Sequence, residues 1–334
     1  MAWEIEADRG SKEYAKLTMN ELSFGPLPEA RAAAVEAVAR ANRYPPRDAD
    51  PLRRVISAAN PGTTTANVVV GNGSSEVLVD LLQVLDRPGE VVFPWPSFPF
   101  YSSATRVVGL TERRVDLDEH HAVDLDALYA AVGPDTRAVI LCNPNNPTGT
   151  YLPLERVRAF AEALPERVLL ILDEAYYEFV EDPAYAGSHE LVLASTNVVS
   201  SRTFSKVHGL AGFRIGYGIA PQELATYVWR AHVPFSVSLV AQAAAEASMR
   251  QTESIAERTR FMTGERKRLQ AAFDAAGLEY IPSHTNFILV RTGPAVFERT
   301  GVLVREGEAL GYPGWSRISI GGVEENDRII AALS

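Results

Sequence analysis

Short apolar runs alternate with amphipathic stretches through the middle of the chain. The runs fall at 68–70, 90–93, 138–142, 168–172, 198–200 and 215–219. Between most of them lie segments with apolar residues at helical spacing, at 76–85, 124–131, 154–164 and 222–231. A short apolar run bounded by turn residues reads as a strand buried on both faces, and a 3.6-residue period as a helix that buries one. Their alternation predicts an α/β fold, with an open, mostly parallel sheet flanked by helices. In such sheets ligands bind beyond the carboxyl ends of the strands. The rhythm then changes. Long helices at 238–249 and 253–276 precede strands at 286–290, 302–305 and 317–320 and a closing helix at 324–333. This tail predicts a smaller α+β domain, joined by the N-terminal segment through about Arg40. The expected division is 41–260 for the large domain and 1–40 with 261–334 for the small one. The stretch Phe93-Pro94-Trp95-Pro96-Ser97-Phe98-Pro99 is predicted as a loop, because proline cannot serve a central strand.

Length and charge narrow the function. The 334 residues suffice for a sizeable core. A net charge of -10 argues against nucleic acid and anionic membrane as main partners, while local basic patches can still hold small anions. The single cysteine, Cys142, permits no intramolecular disulfide and no cysteine-based metal site, so no metal is expected. No basic region followed by an apolar run opens the chain, and no apolar stretch approaches the roughly 18–20 residues of a membrane span. A cytoplasmic protein is the expectation.

Four motifs carry chemistry. Val70-Gly71-Asn72-Gly73-Ser74-Ser75-Glu76 runs strand, glycine-rich turn, helix. Such a turn brings backbone N–H groups and the hydroxyls of Ser74 and Ser75 toward an anion, or serves only as a capped helix start. Cys142-Asn143-Pro144-Asn145-Asn146-Pro147-Thr148-Gly149 fixes an unusual loop after an apolar strand, its asparagines free to donate to an oxygen or to cap a helix. Asp173 ends another apolar strand, where a buried carboxylate needs a partner. A protonated pyridine nitrogen would serve, as would a helix cap or an arginine; Tyr176 follows within one turn. Lys206 sits among Phe204, Val207, Leu210 and Phe213, with Arg214 eight residues on. An amine that forms a Schiff base must first lose its proton, and a desolvated lysine near other cations does so readily.

With these residues in this order, the chain resembles the fold-type-I pyridoxal-phosphate (PLP) aminotransferases, in particular the histidinol-phosphate aminotransferases and their aromatic amino-acid relatives. Matching stretches include Asn20-Glu21, Asn42-Arg43-Tyr44-Pro45, Gly71 to Glu76, Asn143 to Gly149, Asp173 to Tyr176, Thr203 to Tyr217 and Arg317 to Gly321. The resemblance implies a sheet of the seven-stranded type in the larger, PLP-binding domain. It implies that Lys206 bonds PLP and shuttles a proton, that Asp173 pairs with the ring nitrogen, and that Tyr176 and Asn146 hold the ring hydroxyl. Tyr101 would stack on the ring. Gly73, Ser74, Ser75, Thr203, Ser205 and Arg214 would hold the phosphate. Tyr44 would reach the neighbouring subunit's phosphate, which implies a homodimer with shared sites. Arg317 would clamp the substrate carboxylate, or the phosphate-side equivalent in a substrate lacking one, and Arg305 a distal acidic or phosphate group, with Asn20 and Leu22 also on the substrate side. The implied reaction passes an amino group from an aromatic amino acid or histidinol phosphate to a 2-oxo acid. A decarboxylase of the threonine-phosphate type, or another specialised PLP enzyme, is the alternative. Two positions depart from the family. Leu22 stands where histidinol-phosphate enzymes can carry a tyrosine. His208, where Phe or Tyr is usual, is expected to pack rather than act.

Overall fold

Residues 14–185 and 187–333 are described by the computed structural model; the opening Met1 to Glu6 and the rest of 1–13 lie outside them. The first strand, β1 (Ala15–Leu17), belongs to a small sheet. The next seven, β2 (Val68–Gly71), β3 (Glu90–Trp95), β4 (Thr111–Asp116), β5 (Thr136–Cys142), β6 (Leu169–Asp173), β7 (Val198–Thr203) and β8 (Gly216–Ile219), build the large one. Its order is β2-β8-β7-β6-β5-β3-β4. All pairs are parallel except those of β8, which runs against both β7 and β2. Successive residues turn to opposite faces. Val139, Leu141, Leu170 and Leu172 enter one apolar core, and Ile140, Leu169, Ile171 and Val199 the other. Both faces are covered, so the strands read as unbroken apolar runs.

Two strands depart from the pattern expected. β4, Thr-Glu-Arg-Arg-Val-Asp, is charged and mostly exposed, and it was not legible as a strand. It is an edge strand and pairs only with β3, where charge discourages pairing with another chain. β3 runs through Pro94 to Trp95, so the proline-rich stretch is not all loop. Its recorded pairing with β5 ends at Val92, and Pro94 lies opposite only Val115 of β4.

The small sheet has the order β1-β11-β12-β10-β9, adding β9 (Tyr280–Ile281), β10 (Phe287–Val290), β11 (Val302–Glu306) and β12 (Ser316–Ser319). The helix Thr252–Ala275 supplies Met262, Leu269 and Phe273 to its core, and Val323–Ala331 supplies Ile329. The helix Pro28–Val38 goes elsewhere. Its Ala30 and Ala34 share the large-sheet core with Ala241, Ala244 and Ala245 of the helix Leu239–Met249. Small side chains on both helices let them lie close, so this segment sits with the large sheet although a boundary at residue 40 groups it with the small one.

Candidate active site

The carboxyl ends of β2, β5, β6 and β7 deliver the motifs to one end of the large sheet. Gly71 closes β2, and the helix Ser74–Gln83 starts three residues later without a side-chain cap, leaving its first N–H groups for an anion. Gly73 has φ 81, and a Cβ there would lie 2.6 Å from Arg214 Nη2. Gly216 of β8 passes directly under this turn, since a Cβ on it would lie 2.2 Å from the Ser74 nitrogen. Arg214 donates to the Ala211 carbonyl at 2.9 Å and lies 3.5 Å from Ser205 Oγ. Thr203 Oγ1 donates to Ser205 Oγ at 2.9 Å. Gly73, Ser74, Thr203, Ser205 and Arg214 are therefore gathered around one turn, with Ser75 next on the helix.

Lys206 follows β7. Its Nζ donates to the carbonyls of Met19 and Asn20 at 3.2 and 3.1 Å and lies 5.5 Å from the Tyr176 ring centroid. Burial and the Arg317 charge push its ammonium down to about 7, with Arg214 adding to the effect and Glu21 and Asp173 opposing it. Part of the residue's surface still meets solvent, which tempers the shift. Asp173 ends β6 almost wholly buried. Its Oδ2 accepts from the Tyr101 hydroxyl at 2.7 Å and its Oδ1 from the Ala175 N–H at 3.2 Å. Burial raises its pKa in spite of these bonds, and among the described residues no cation is hydrogen-bonded to it.

Tyr101 was expected on a ring face. Its own ring is fully buried, edge-on to Phe93 and Phe98, and its hydroxyl is committed to Asp173. Tyr176 is buried too, and its hydroxyl accepts from Asn20 Nδ2 at 3.0 Å. The three loop asparagines divide their labour. Asn143 clasps Leu152, Asn145 bonds Ser97 and Thr148, and only Asn146 turns to an arginine, accepting from Arg317 Nη1 at 2.7 Å.

Arg317 on β12 stands directly across from Arg305 on β11. Arg317 is buried, donates its Nη2 to the Thr18 carbonyl at 2.8 Å, and has no carboxylate partner among the described residues. Burial lowers its guanidinium to about 10, with Arg305 adding to the effect. Arg305 is half-buried with no hydrogen bond or ion pair among the described residues. Asn20, at φ 55, is a hub: its N–H donates to Ser319 Oγ at 2.8 Å, and its carbonyl also accepts from Asn286 Nδ2 at 3.0 Å. Leu22 packs against the small-sheet core.

Sequence reasoning missed the carbonyls of Thr18 and Met19, which carry no side-chain signal, and the partners Asn286 and Ser319. Tyr44 is not brought to the others. It is 82% exposed, with its ring 4.9 Å from that of Phe235, also exposed. His208 is a packing residue. Its Nδ1 shares a 2.8 Å hydrogen bond with Ser248 Oγ, it packs on Phe204, and burial pushes its imidazole down to about 3.

Residues 12–333 match the family model described as aminotransferase class I and II. The histidinol-phosphate aminotransferase of Rubrobacter xylanophilus is 62% identical over 330 residues, covering 99% of this chain and 94% of that protein. The aromatic amino acid aminotransferase of Rhodococcus jostii is 41% identical over 323 residues, covering 95% and 88% respectively. Among solved structures, the histidinol-phosphate aminotransferase of Sinorhizobium meliloti in complex with pyridoxal-5'-phosphate superposes with a TM-score of 0.88 at 31% identity, covering 96% of this chain and 89% of that one.

Proposed function

Because this chain belongs to the class I and II aminotransferases, which depend on PLP, we propose that its amino donor is histidinol phosphate and its acceptor a 2-oxo acid. The residues fit the cofactor on three counts. Asp173 is a buried acid lacking a cation, which a protonated ring nitrogen would provide. The turn at Gly73 leaves N–H groups, and Arg214 beside them, for a phosphate. The Lys206 amine is held near neutrality, so a reactive free amine is available at ordinary pH.

Bound PLP supplies a ring that accepts the electron pair developing on the donor's α-carbon. The chain supplies the rest. Lys206 Nζ takes the α-proton and returns it, a task that needs a pKa close to the working pH. Asp173, held by Tyr101 and the Ala175 N–H, would pair with the ring nitrogen. Tyr176 and Asn146 bond the ring hydroxyl, and Gly73, Ser74, Ser75, Thr203, Ser205 and Arg214 bind the phosphate. Asn20 fixes Tyr176. Arg317 and Arg305 bind the anionic end of the donor, where a planar fork suits a phosphate or carboxylate better than an ammonium does.

The observation that carries the donor assignment is the Arg305–Arg317 cross-strand pair, two cations with no carboxylate between them among the described residues. The 62% identical relative supports it. A second reading, an aromatic amino acid as donor, is favoured by Leu22, an apolar residue on the small-sheet side, and by the Rhodococcus relative. We further propose a cytoplasmic homodimer in which Tyr44 serves the partner's site; the exposed Tyr44–Phe235 pair, with Val233 exposed nearby in sequence, supports it. No helix among the described residues is long and apolar enough to cross a membrane.

The test is a donor screen read from the visible absorbance of the bound cofactor. Histidinol phosphate should discharge it most efficiently, and a 2-oxo acid should restore it. Preference for phenylalanine or tyrosine would install the second reading, and carbon dioxide release would replace both with a decarboxylase. Borohydride treatment followed by peptide mass mapping should leave the cofactor on Lys206; an adduct elsewhere would remove that lysine from the site.

A further inference from the structure

A chain of hydrogen bonds lies beside the phosphate turn, outside the residues assigned above. Asp80 and His232 are both buried, each with a side chain 6% exposed, and Asp80 Oδ2 meets His232 Nδ1 at 2.7 Å. His232 Nε2 lies 3.1 Å from Ser236 Oγ. Ser236 Oγ donates to Glu76 Oε2 at 2.7 Å, and the same carboxylate oxygen accepts the Asn72 N–H. Asp80 and Glu76 belong to the helix Ser74–Gln83, Asn72 to the turn before it, and His232 and Ser236 to the segment after the helix Gln222–Ala231. The Trp229 ring, 5.0 Å away and edge-on, closes another side of the imidazole.

Counting protons shows how firmly the chain is joined. A carboxylate only accepts, so the single Ser236 hydroxyl proton is spent on Glu76. The contact at Nε2 therefore needs an imidazole N–H, and the contact at Nδ1 needs another proton, on the ring or on Asp80. The Asp80–His232 contact is short and its two side chains are largely shielded from water, which makes it stronger than an exposed one. Its far end, Glu76, holds the N–H of Asn72, the neighbour of Gly73.

We propose that Asp80, His232, Ser236 and Glu76 form a relay that positions the Asn72-Gly73-Ser74 turn, making His232 and Ser236 positioning residues for the cofactor phosphate. The inference rests on the PLP reading above. It implies that the segment holding Phe235 is fastened to the cradle without itself touching the ligand.

The experiment measures PLP affinity of the full-length chain by visible absorbance, alongside kcat at saturating PLP and the thermal midpoint. Ser236→Ala should weaken PLP binding about fivefold, the size of one lost hydrogen bond, with kcat within about twofold. Ser236→Thr, which keeps the hydroxyl, should restore the affinity. His232→Gln should lose a similar factor, and the double variant no more than either single, because the chain is severed once. Unchanged PLP affinity in both single variants, additive losses in the double, or a lowered thermal midpoint with normal affinity would overturn the relay. If the unsubstituted chain takes up no PLP, the cofactor reading fails and the relay with it; if it binds and Ser236→Ala binds equally, the relay alone fails.

Discussion

Arg202 on β7 and Arg317 on β12 are both enclosed, at 2% and 6% exposure. Each leaves one nitrogen unpartnered, Nη2 in Arg202 and Nε in Arg317, so that feature does not separate them. Their counterions do. Arg202 donates to Glu174 Oε2 and to Asn60 Oδ1, each at 2.8 Å, and stacks 4.0 Å over Tyr177, while Tyr185 bonds the other Glu174 oxygen. Burial opposes its charge, but Glu174 together with Tyr177 and Tyr217 outweighs it, and the guanidinium stays firmly protonated. Arg317 has a carbonyl and an amide for partners and a second arginine across the sheet. A buried cation that closes on its own carboxylate braces the fold. One left with neutral acceptors is open to an anion, and that difference is what supports the proposed substrate role of Arg317.

The contrast can be broken by substitution. Arg202→Ala should strand the Glu174 carboxylate and cost about 3–5 kcal/mol of stability, seen as a much lower denaturant midpoint; a variant as stable as the parent would mean that the pair is no brace. Arg317→Ala should leave the midpoint nearly unchanged while raising KM on the order of 30- to 100-fold, from about 2–3 kcal/mol of lost charge-assisted bonding. A collapse in stability instead would make it a second Arg202. Lys206 sharpens the picture through pH. Its depressed amine is mostly neutral above about 7, so the rate at which the chain captures PLP covalently should rise toward neutral pH and level off above it. A rate still climbing to the ordinary lysine range would show that Lys206 is not depressed. The smallest effect belongs to His208→Phe, which leaves Ser248 without its partner and should cost about 1 kcal/mol of stability with turnover intact; a large loss of turnover would give His208 a chemical part.

Much of this was legible because apolar strands end in residues that apolar strands avoid. Asp173, Asn146 and Lys206 each follow such a run, and the fold gathers them with Arg317 and the segment at Thr18 to Asn20. What escaped notice had physical reasons. The charged edge strand β4 lacks an apolar face, and Pro94 is tolerated where the recorded pairing has run out on one side. The alanines of Pro28–Val38 fit either sheet by composition, and only packing decides. The carbonyls of Thr18 and Met19 accept from Arg317 and Lys206 through backbone that any residue would provide. The commitment of Tyr101 to Asp173 depends on a contact between positions 72 residues apart, which no local pattern records.

The pairing of β1 with β11 has a consequence for the order of assembly. Ala15 lies opposite Val302, and Asn20 bonds Ser319, so the small sheet joins the two ends of the described chain. During synthesis the large sheet has all its strands once Ile219 has emerged, whereas β1 must wait, unpaired, for β11, which follows every strand of the large sheet. Contacts so distant in sequence form late and slowly. A ribosome-bound chain halted before β11 can therefore hold Lys206, Asp173 and the turn at Gly73, yet lack Arg305 and Arg317, the arginines proposed to receive substrate. On the proposed roles, competence to discharge an amino donor is acquired only after β12 has been made.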